Sequence, residues 1–347
     1  MPELTVEILD RSEYKEWDDF VRKSVNGTIY SETIWGEVSK KLEPAIDYMI
    51  LTVKKGNEIV GGILIFLRKN RVLIPLFTPY ESVVYRRIDG ENHDIISERR
   101  RINEALADYL TTKFFFVTIK QNPEYIDIRD FQFRGFSTTI RYTYFTDLSS
   151  YNLDVVNRKN RREIVKVDEK NIFFELVPAQ NISYEILAPF FETMDMKVFE
   201  MDEGLKRHIM EALDILKERA IVYVLKDKEK ILSVRVELVD NEEKIEDWIA
   251  GTTLEGREKR ITTYFVHRIL EDLKSRGYKR FDWNGANTPG VTDFKNSFNG
   301  QLKPYIELAI WRNRYLKLVY EAGKLAYKDL RRMFRTINLK KKEPPSK

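Results

Sequence analysis

The sequence predicts an α/β chain of two tandem domains, each a mixed sheet between helices, followed by a basic C-terminal helix. Three observations predict it. The chain has 347 residues, more than the ~250 at which single cores stop growing. One order of elements is written twice, with a period of about half the chain. The positive charge is gathered at one end.

In the first half, SEYKEWDDFVRKS opens on a serine that is only a partial capping signal and TIYSETIWGEVSKKL follows, both with helical spacing. YMILTVKKGNEIVGGILIFLRKN then reads as two strands around a polar turn at Lys54–Glu58. RVLIPLFTPYESVVY has strand-like composition. ISERRRINEALADYLTT is a helix, with Ile102, Leu106, Tyr109 and Leu110 on one face. It runs into FFFVTIK, a continuous apolar block of the kind covered on both faces.

The second half repeats the order. NRKNRREIVKVDEKN, SYEILAPFFETMDMK and DEGLKRHIMEALDILKERA take the place of the opening helices, and IVYVLKDKEKILSVRVELVD is again a hairpin, turning at Lys226–Lys230. KIEDWIAGT is the next strand. TTYFVHRILEDLKSRGY is a helix stopped by Gly277, and RFDWNG a short strand. The boundary is expected at Asp147–Asn152, where polar residues interrupt the apolar pattern. The predicted domains are therefore 1–150 and 151–312, with 313–347 as helix and tail.

Composition excludes several chemistries. There is no cysteine, hence no disulfide framework, thiol nucleophile or thiolate metal site. His93, His208 and His267 share no ligand-like spacing, so no metal is expected. Apolar residues at 43% suffice for two cores, and charged residues at 33% are balanced in sign. The longest apolar run, Ile59 to Leu67, is far short of the ~20 residues of a membrane span. The N-terminus carries acids and no signal-like core, so a cytoplasmic protein is expected.

RFDWNGANTPGVTDFKNSFNGQLKPY, from Arg280 to Tyr305, resembles the signature region of the FemAB-like family of the GNAT (N-acyltransferase) superfamily. Phe281, Asp282, Trp283, Gly285, Phe294, Lys295, Phe298 and Tyr305 stand at matching positions; where the family has a glycine after the second Phe, this chain has Asn299, then Gly300. NGTIYSETIW and NRKNRREIVKV resemble two further family motifs, and the likeness spans roughly residues 15 to 320. It implies two GNAT-like domains with a channel between them. It also implies transfer of an acyl or aminoacyl group, from acyl-CoA or aminoacyl-tRNA, to an amine of a small, lipid-linked or nucleotide-linked envelope or glycan precursor. No tightly bound cofactor is implied. The alternatives are acetylation of a soluble amine and a non-catalytic binding protein.

Amine acylation needs a deprotonated amine, a polarised carbonyl and a charge partner for the oxyanion. On the family match Lys295 is the leading candidate, as a compact ammonium beside the channel; by pattern alone it is a surface lysine between core phenylalanines. Asp282 either accepts a proton or braces a loop. Alternation puts Glu246 and Trp248 on one strand face and Asp247 on the other, so one carboxylate faces the cleft. Trp283, Phe298 and Tyr305 fall in the same region. Arg158, Arg161 and Arg162, with Lys159 and Lys166, form either a phosphate clamp or a solvated helix face. Tyr30 and Trp35 line an acceptor groove or belong to the core. The usual CoA pyrophosphate loop is not intact, because TTLEGREKRITT offers only Gly256.

From Arg312 to Lys347 there are twelve Lys or Arg and three acids, so the chain's net +4 belongs to its tail. Residues 313–338 read as an amphipathic helix, with Leu316, Val319, Tyr320, Leu330 and Phe334 in its apolar stripe. Such a helix can lie on an anionic membrane, hold tRNA, or pack on the protein.

Overall fold

Polar turns set the register of both predicted hairpins. Gly56 (φ +63°) closes the first and Lys228 (φ +52°) the second, each in the left-handed conformation a tight hairpin requires. A computed structural model describes residues 4–167, 171–196 and 201–313. The tail from residue 314, and with it nearly all of the predicted basic helix, lies outside the described residues. No helix among those described is long and apolar enough to cross a membrane.

The strands are β1 (Leu4–Ile8), β2 (Asp47–Lys55), β3 (Glu58–Leu67), β4 (Arg71–Leu73), β5 (Val84–Tyr85), β6 (Phe116–Gln121), β7 (Ser137–Asp147), β8 (Ile172–Pro178), β9 (Ala220–Asp227), β10 (Lys230–Val239), β11 (Lys244–Thr252), β12 (Arg280–Asp282) and β13 (Gln301–Trp311). The helices are α1 (Tyr14–Lys23), α2 (Thr33–Leu42), α3 (Asn92–Lys113), α4 (Arg129–Phe133), α5 (Arg158–Val165), α6 (Tyr184–Met196), α7 (Glu203–Leu216), α8 (Leu254–Glu258), α9 (Ile261–Ser275) and α10 (Pro289–Asn296).

All strands join one mixed sheet in the order β1-β2-β3-β4-β6-β13-β7-β12-β11-β10-β9-β8, with β5 paired to β3. Read from its two ends, this order is the same topology twice. Strands β1, β2, β3, β4 and β6 match β8, β9, β10, β11 and β12. In each half a long helix, α3 or α9, crosses over to a parallel neighbour. Each half then surrenders its last strand to the other: β13 pairs with β6, while β7 pairs with β12 and with β13.

The predicted boundary falls in the turn after β7, yet the exchange carries β7 into the second half's ladder. Chain position and sheet position part company there. Four strands had not been predicted. Two of them, β1 and β8, are half-exposed edges. The other two, β7 and β13, mix exposed and buried faces irregularly and so carry no clean period. In the second half, α6 and α7 fill the places of α1 and α2, and α5 precedes β8 as an added helix.

Two smaller expectations are corrected. The predicted strand block after Arg71 holds strand only at its two ends, because Pro75 and Pro79 break the ladder and release residues 74–83 as a loop. The cap is Asp10, at the head of a single 3-10 turn (Arg11–Glu13) that leads into α1; its carboxylate accepts from the Ser12 N–H at 2.9 Å while its own N–H donates to Glu13. Asn299 adopts φ +59°, a left-handed conformation that asparagine tolerates. Gly300 is then needed for space, since a Cβ there would lie 2.8 Å from Cβ of Tyr144.

One face of the sheet is shared. Helices α1, α2, α6 and α7 pack together over it around Trp17, Trp35, Phe190 and Leu213, which form a single core across both halves. On the opposite face α3 and α4 cover the first half, and α5, α9 and α10 the second. Burying apolar surface at ~25 cal/mol per Å² makes that common core a tie between the halves beside the exchanged strands.

Candidate active site

The site lies where two strands part. β11 and β12 pair in parallel only as far as Glu246 opposite Asp282. Beyond that point the Trp283 N–H turns to the carbonyl of Tyr144 on β7, 3.1 Å away. Asn284 (φ +49°) and Gly285 (φ +102°) swing the chain out of the sheet. The side-chain amide of Asn284 reaches back, donating to the Asp247 carbonyl at 3.0 Å and to the Tyr30 hydroxyl at 2.7 Å.

Two clefts meet at this opening. The larger, about 970 Å³, lies over the face of β6, β13 and β7 that carries Thr118, Lys120, Thr139, Tyr305 and Glu307, with the loop around Phe77 as its lip. The smaller, about 780 Å³, runs between α6, β11, the start of α9 and α10, past Phe190, Met194, Arg257, Arg260 and Phe294. Phe77, Asp247, Trp248 and Asn284 line both. A channel therefore crosses the junction of the two halves.

A bulge determines what faces that channel. Val236 pairs with Ile249 but Glu237 pairs with Asp247, so Trp248 is an extra residue in β11. An extra residue cancels the alternation of faces. Asp247 and Trp248 thus both line the clefts, whereas alternation predicted opposite sides. Glu246 is buried in the interior and lines neither.

Around Asp247 the charges are dense and dry. Arg235 Nη2 donates to Asp247 Oδ1 at 2.6 Å, and Arg235 Nε to Glu237 Oε1 at 3.3 Å. Lys295 Nζ stands 3.6 Å from Asp247 Oδ2. It donates to the carbonyls of Trp283 and, at 2.9 Å, Gly285. Two of its three protons are thereby committed, and the third is left for Asp247 or a substrate oxygen. Burial pushes the Lys295 ammonium below its ordinary pKa, with Asp247 opposing and Arg235 reinforcing that shift. Burial, followed by the charge of Asp247, raises Glu237 to about 8, so it is mostly protonated at neutral pH.

No protein-family model matches the sequence, and no curated protein matches it. Solved structures do. FemX aligns with TM-score 0.62 at 14% identity, over 87% of this chain and 96% of its own. A tandem GNAT protein from the clavulanic acid biosynthesis pathway, determined without AcCoA, aligns with TM-score 0.57 at 11% identity, over 90% of this chain and 99% of its own. L-PGS from Bacillus licheniformis gives TM-score 0.57 at 14% identity, over 90% of this chain and 95% of its own. The fold is that of the FemAB-like tandem GNAT proteins. At such identities the likeness speaks for the fold alone.

Within this FemAB-like fold the predicted residues separate into three groups. Lys295, Asp247 and Trp248 come together at the junction, with Trp283 in the wall of the smaller cleft and Tyr305 in that of the larger. A second group is structural. Asp282 is buried and fully engaged, accepting from Tyr80 Oη at 2.8 Å, Thr143 Oγ1 at 2.7 Å and the Asn284 N–H at 2.9 Å, so it braces the loop. Tyr30, Trp35 and Phe298 are core residues. Trp35 meets Trp248 edge to face at 5.7 Å beneath the channel. Burial, and then the neighbouring charges of Asp282 and Asp240, raise the Glu246 carboxyl well above its ordinary pKa.

The third group lies away from the clefts. Arg158 and Arg162 are exposed on α5, and Arg161 pairs with Asp154 at 3.0 Å. Glu163, on the same helix, does reach the smaller cleft.

Sequence reading missed Arg235, Asn284, Arg257, Arg260, Phe77 and Lys120. Arg235 had a signal: it is a charge inside the apolar strand ILSVRVELV, and such charges are retained only when paired. Asn284 and Phe77 had none, because their positions depend on contacts from the other half.

Proposed function

We propose that this chain is an N-acyl or N-aminoacyl transferase. It takes its activated donor, an acyl-CoA or an aminoacyl-tRNA, in the smaller cleft and an amine of a cell-envelope or glycan precursor in the larger. The observation that carries this reading is the meeting of two clefts at Asp247 beside parted strands, with an inward-turned lysine in the wall of the smaller. The amine lone pair attacks the donor's carbonyl carbon, and negative charge gathers on the carbonyl oxygen. Collapse expels the donor's thiolate or ribose hydroxylate, which takes up the proton the amine loses. The uncommitted proton of Lys295 is placed to balance the oxyanion, and such a preorganised donor supplies ~3 kcal/mol. Asp247, pinned by Arg235, orients the lysine and the incoming amine. Likeness to FemX and L-PGS supports the aminoacyl arm, and likeness to the tandem GNAT protein supports the acyl-CoA arm.

The test supplies labelled acyl-CoA esters and labelled aminoacyl-tRNA, each with an amine-bearing nucleotide sugar or peptide. Transfer from one donor is expected, falling ~10²- to 10³-fold in Lys295→Met with the fold unchanged by circular dichroism. Absence of transfer from both donors, or unchanged turnover in the variant, would overturn the assignment.

A further inference from the structure

Strand alternation decides what the floor of the larger cleft presents. Along β6, Val117, Ile119 and Gln121 are buried on the side of α3, and Phe116, Thr118 and Lys120 face the cleft. On β13, Glu307 stands directly opposite Lys120, and on β7, Thr139 stands opposite Glu307. Directly opposed side chains have their Cβ atoms ~5 Å apart, within reach of an ion pair. That pair is not made. Arg141, on the diagonal, takes Glu307 instead, through Nε at 3.1 Å and Nη2 at 3.0 Å.

The other charges lining this cleft are likewise matched. Glu43 accepts from Arg68 at 2.9 Å, and Asp247 from Arg235 at 2.6 Å. Lys120 has no carboxylate within ion-pair distance among the described residues, although it is largely enclosed. Burial lowers the affinity of this ammonium for its proton; Glu307, already taken by Arg141, opposes that shift and the Arg141 guanidinium adds to it. Glu81, bridged to Lys120 from the loop before β5, is fully buried on the interior side, and burial raises its carboxyl well above its ordinary pKa. Around Lys120 the floor carries neutral donors and acceptors, Thr118, Thr139 and Ser137, with Tyr305 further along. Lys120 and Arg141 thus share the neighbourhood of Glu307, and the surplus positive charge among hydroxyls, in a cleft large enough for a substrate, is a receptor for an anion.

We propose that Lys120 is the anchor for an anionic group, a phosphate or a carboxylate, on the molecule that occupies the larger cleft. The proposal rests on reading that cleft as the acceptor site. It makes the acceptor an amine that also carries negative charge, held by that charge on β6 while its amine reaches the junction at Asp247. The hydroxyl row and Tyr305 would engage uncharged parts of the same molecule.

The experiment titrates the full chain with inorganic pyrophosphate and, separately, with succinate. It follows thermal stability and calorimetric binding in the wild type, Lys120→Met, Lys120→Arg and Lys295→Met. Expected is saturable binding of one probe that weakens about tenfold or more in Lys120→Met and survives in Lys120→Arg and Lys295→Met. Which probe binds distinguishes a phosphate from a carboxylate. Lys120→Gln replaces Lys120→Met if the latter does not fold. Binding unchanged in the neutral variant, or no binding of either probe by the wild type, overturns the proposal. The outcomes also separate it from the transferase reading. Transfer that persists with unchanged acceptor KM in Lys120→Met sinks the anchor alone, and Lys120-dependent anion binding without any transfer sinks the enzyme alone.

Discussion

Asn284 donates its side-chain amide to the backbone carbonyl of Asp247 across 3.0 Å, bridging the gap that opens where β12 leaves β11. The same amide nitrogen holds the Tyr30 hydroxyl, so one residue ties both halves to the rim of the channel. A carbonyl cannot donate, which fixes the nitrogen of Asn284 on that side. Asn284→Ala deletes both bonds and also places alanine at φ +49°. A loss of ~1–3 kcal/mol in urea unfolding is expected. Asn284→Gly should recover the backbone share and no more; equal losses in the two variants would contradict this.

Arg235 holds the junction's charges together. Arg235→Met leaves Asp247 buried beside a lysine that sits at 3.6 Å, too far to replace the lost hydrogen bond. Breaking a buried pair from one side costs ~3–5 kcal/mol. Arg235→Met combined with Asp247→Asn should be more stable than Arg235→Met alone, as judged by the denaturant midpoint. A double variant no more stable than the single would remove the pair from the account.

Gly251, on β11 in the wall of the smaller cleft, lets α6 rest directly on the sheet. A Cβ there would lie 2.2 Å from the Phe190 Cα and 2.5 Å from the Pro189 carbonyl carbon, backbone atoms that cannot turn aside. Gly251→Ala should therefore cost ~1–3 kcal/mol, or more if the helix cannot shift. The melting temperature should fall, with donor-side binding weakened before acceptor-side binding. An unchanged melting temperature would show that α6 is free to move.

The pH dependence follows from Glu237, which titrates at about 8 in the folded chain, above its ordinary 4.5. A carboxyl raised on folding adds stability that is complete below the unfolded pKa and is lost as pH rises through the folded one. Glu237→Gln mimics the protonated form and removes this dependence. The difference in melting temperature, variant minus wild type, should grow from pH 5 to pH 8 and level off above it. A difference that shrinks with rising pH would mean the carboxyl is ionised in the fold.

Strand exchange predicts that neither half folds alone. Residues 1–150 lack β13, which covers β6, and residues 151–313 lack β7, which covers β12. Each fragment would expose an unpaired strand edge at its centre, the condition that leads to aggregation. Separate expression should give insoluble or unfolded material by circular dichroism, and co-expression should restore a complex. A monomeric, cooperatively folding 1–150 would refute this.

What the sequence determined by itself was local and periodic. The hairpins at Gly56 and Lys228, the crossover helices α3 and α9, the stop at Gly277 and the short strand at Phe281 each follow from spacing or turn chemistry within some twenty residues. The inward lysine at 295 was legible only through a motif. The tertiary structure decided everything that depends on partners far along the chain. The exchange of β7 and β13, the bracing of Asp282 by Tyr80 and the setting of Lys120 opposite Glu307 arise between residues from different halves. Pairing choices of that kind are energies of one strand relative to another. No window of sequence contains both terms, so the channel at the junction could be known only once the two halves were brought together.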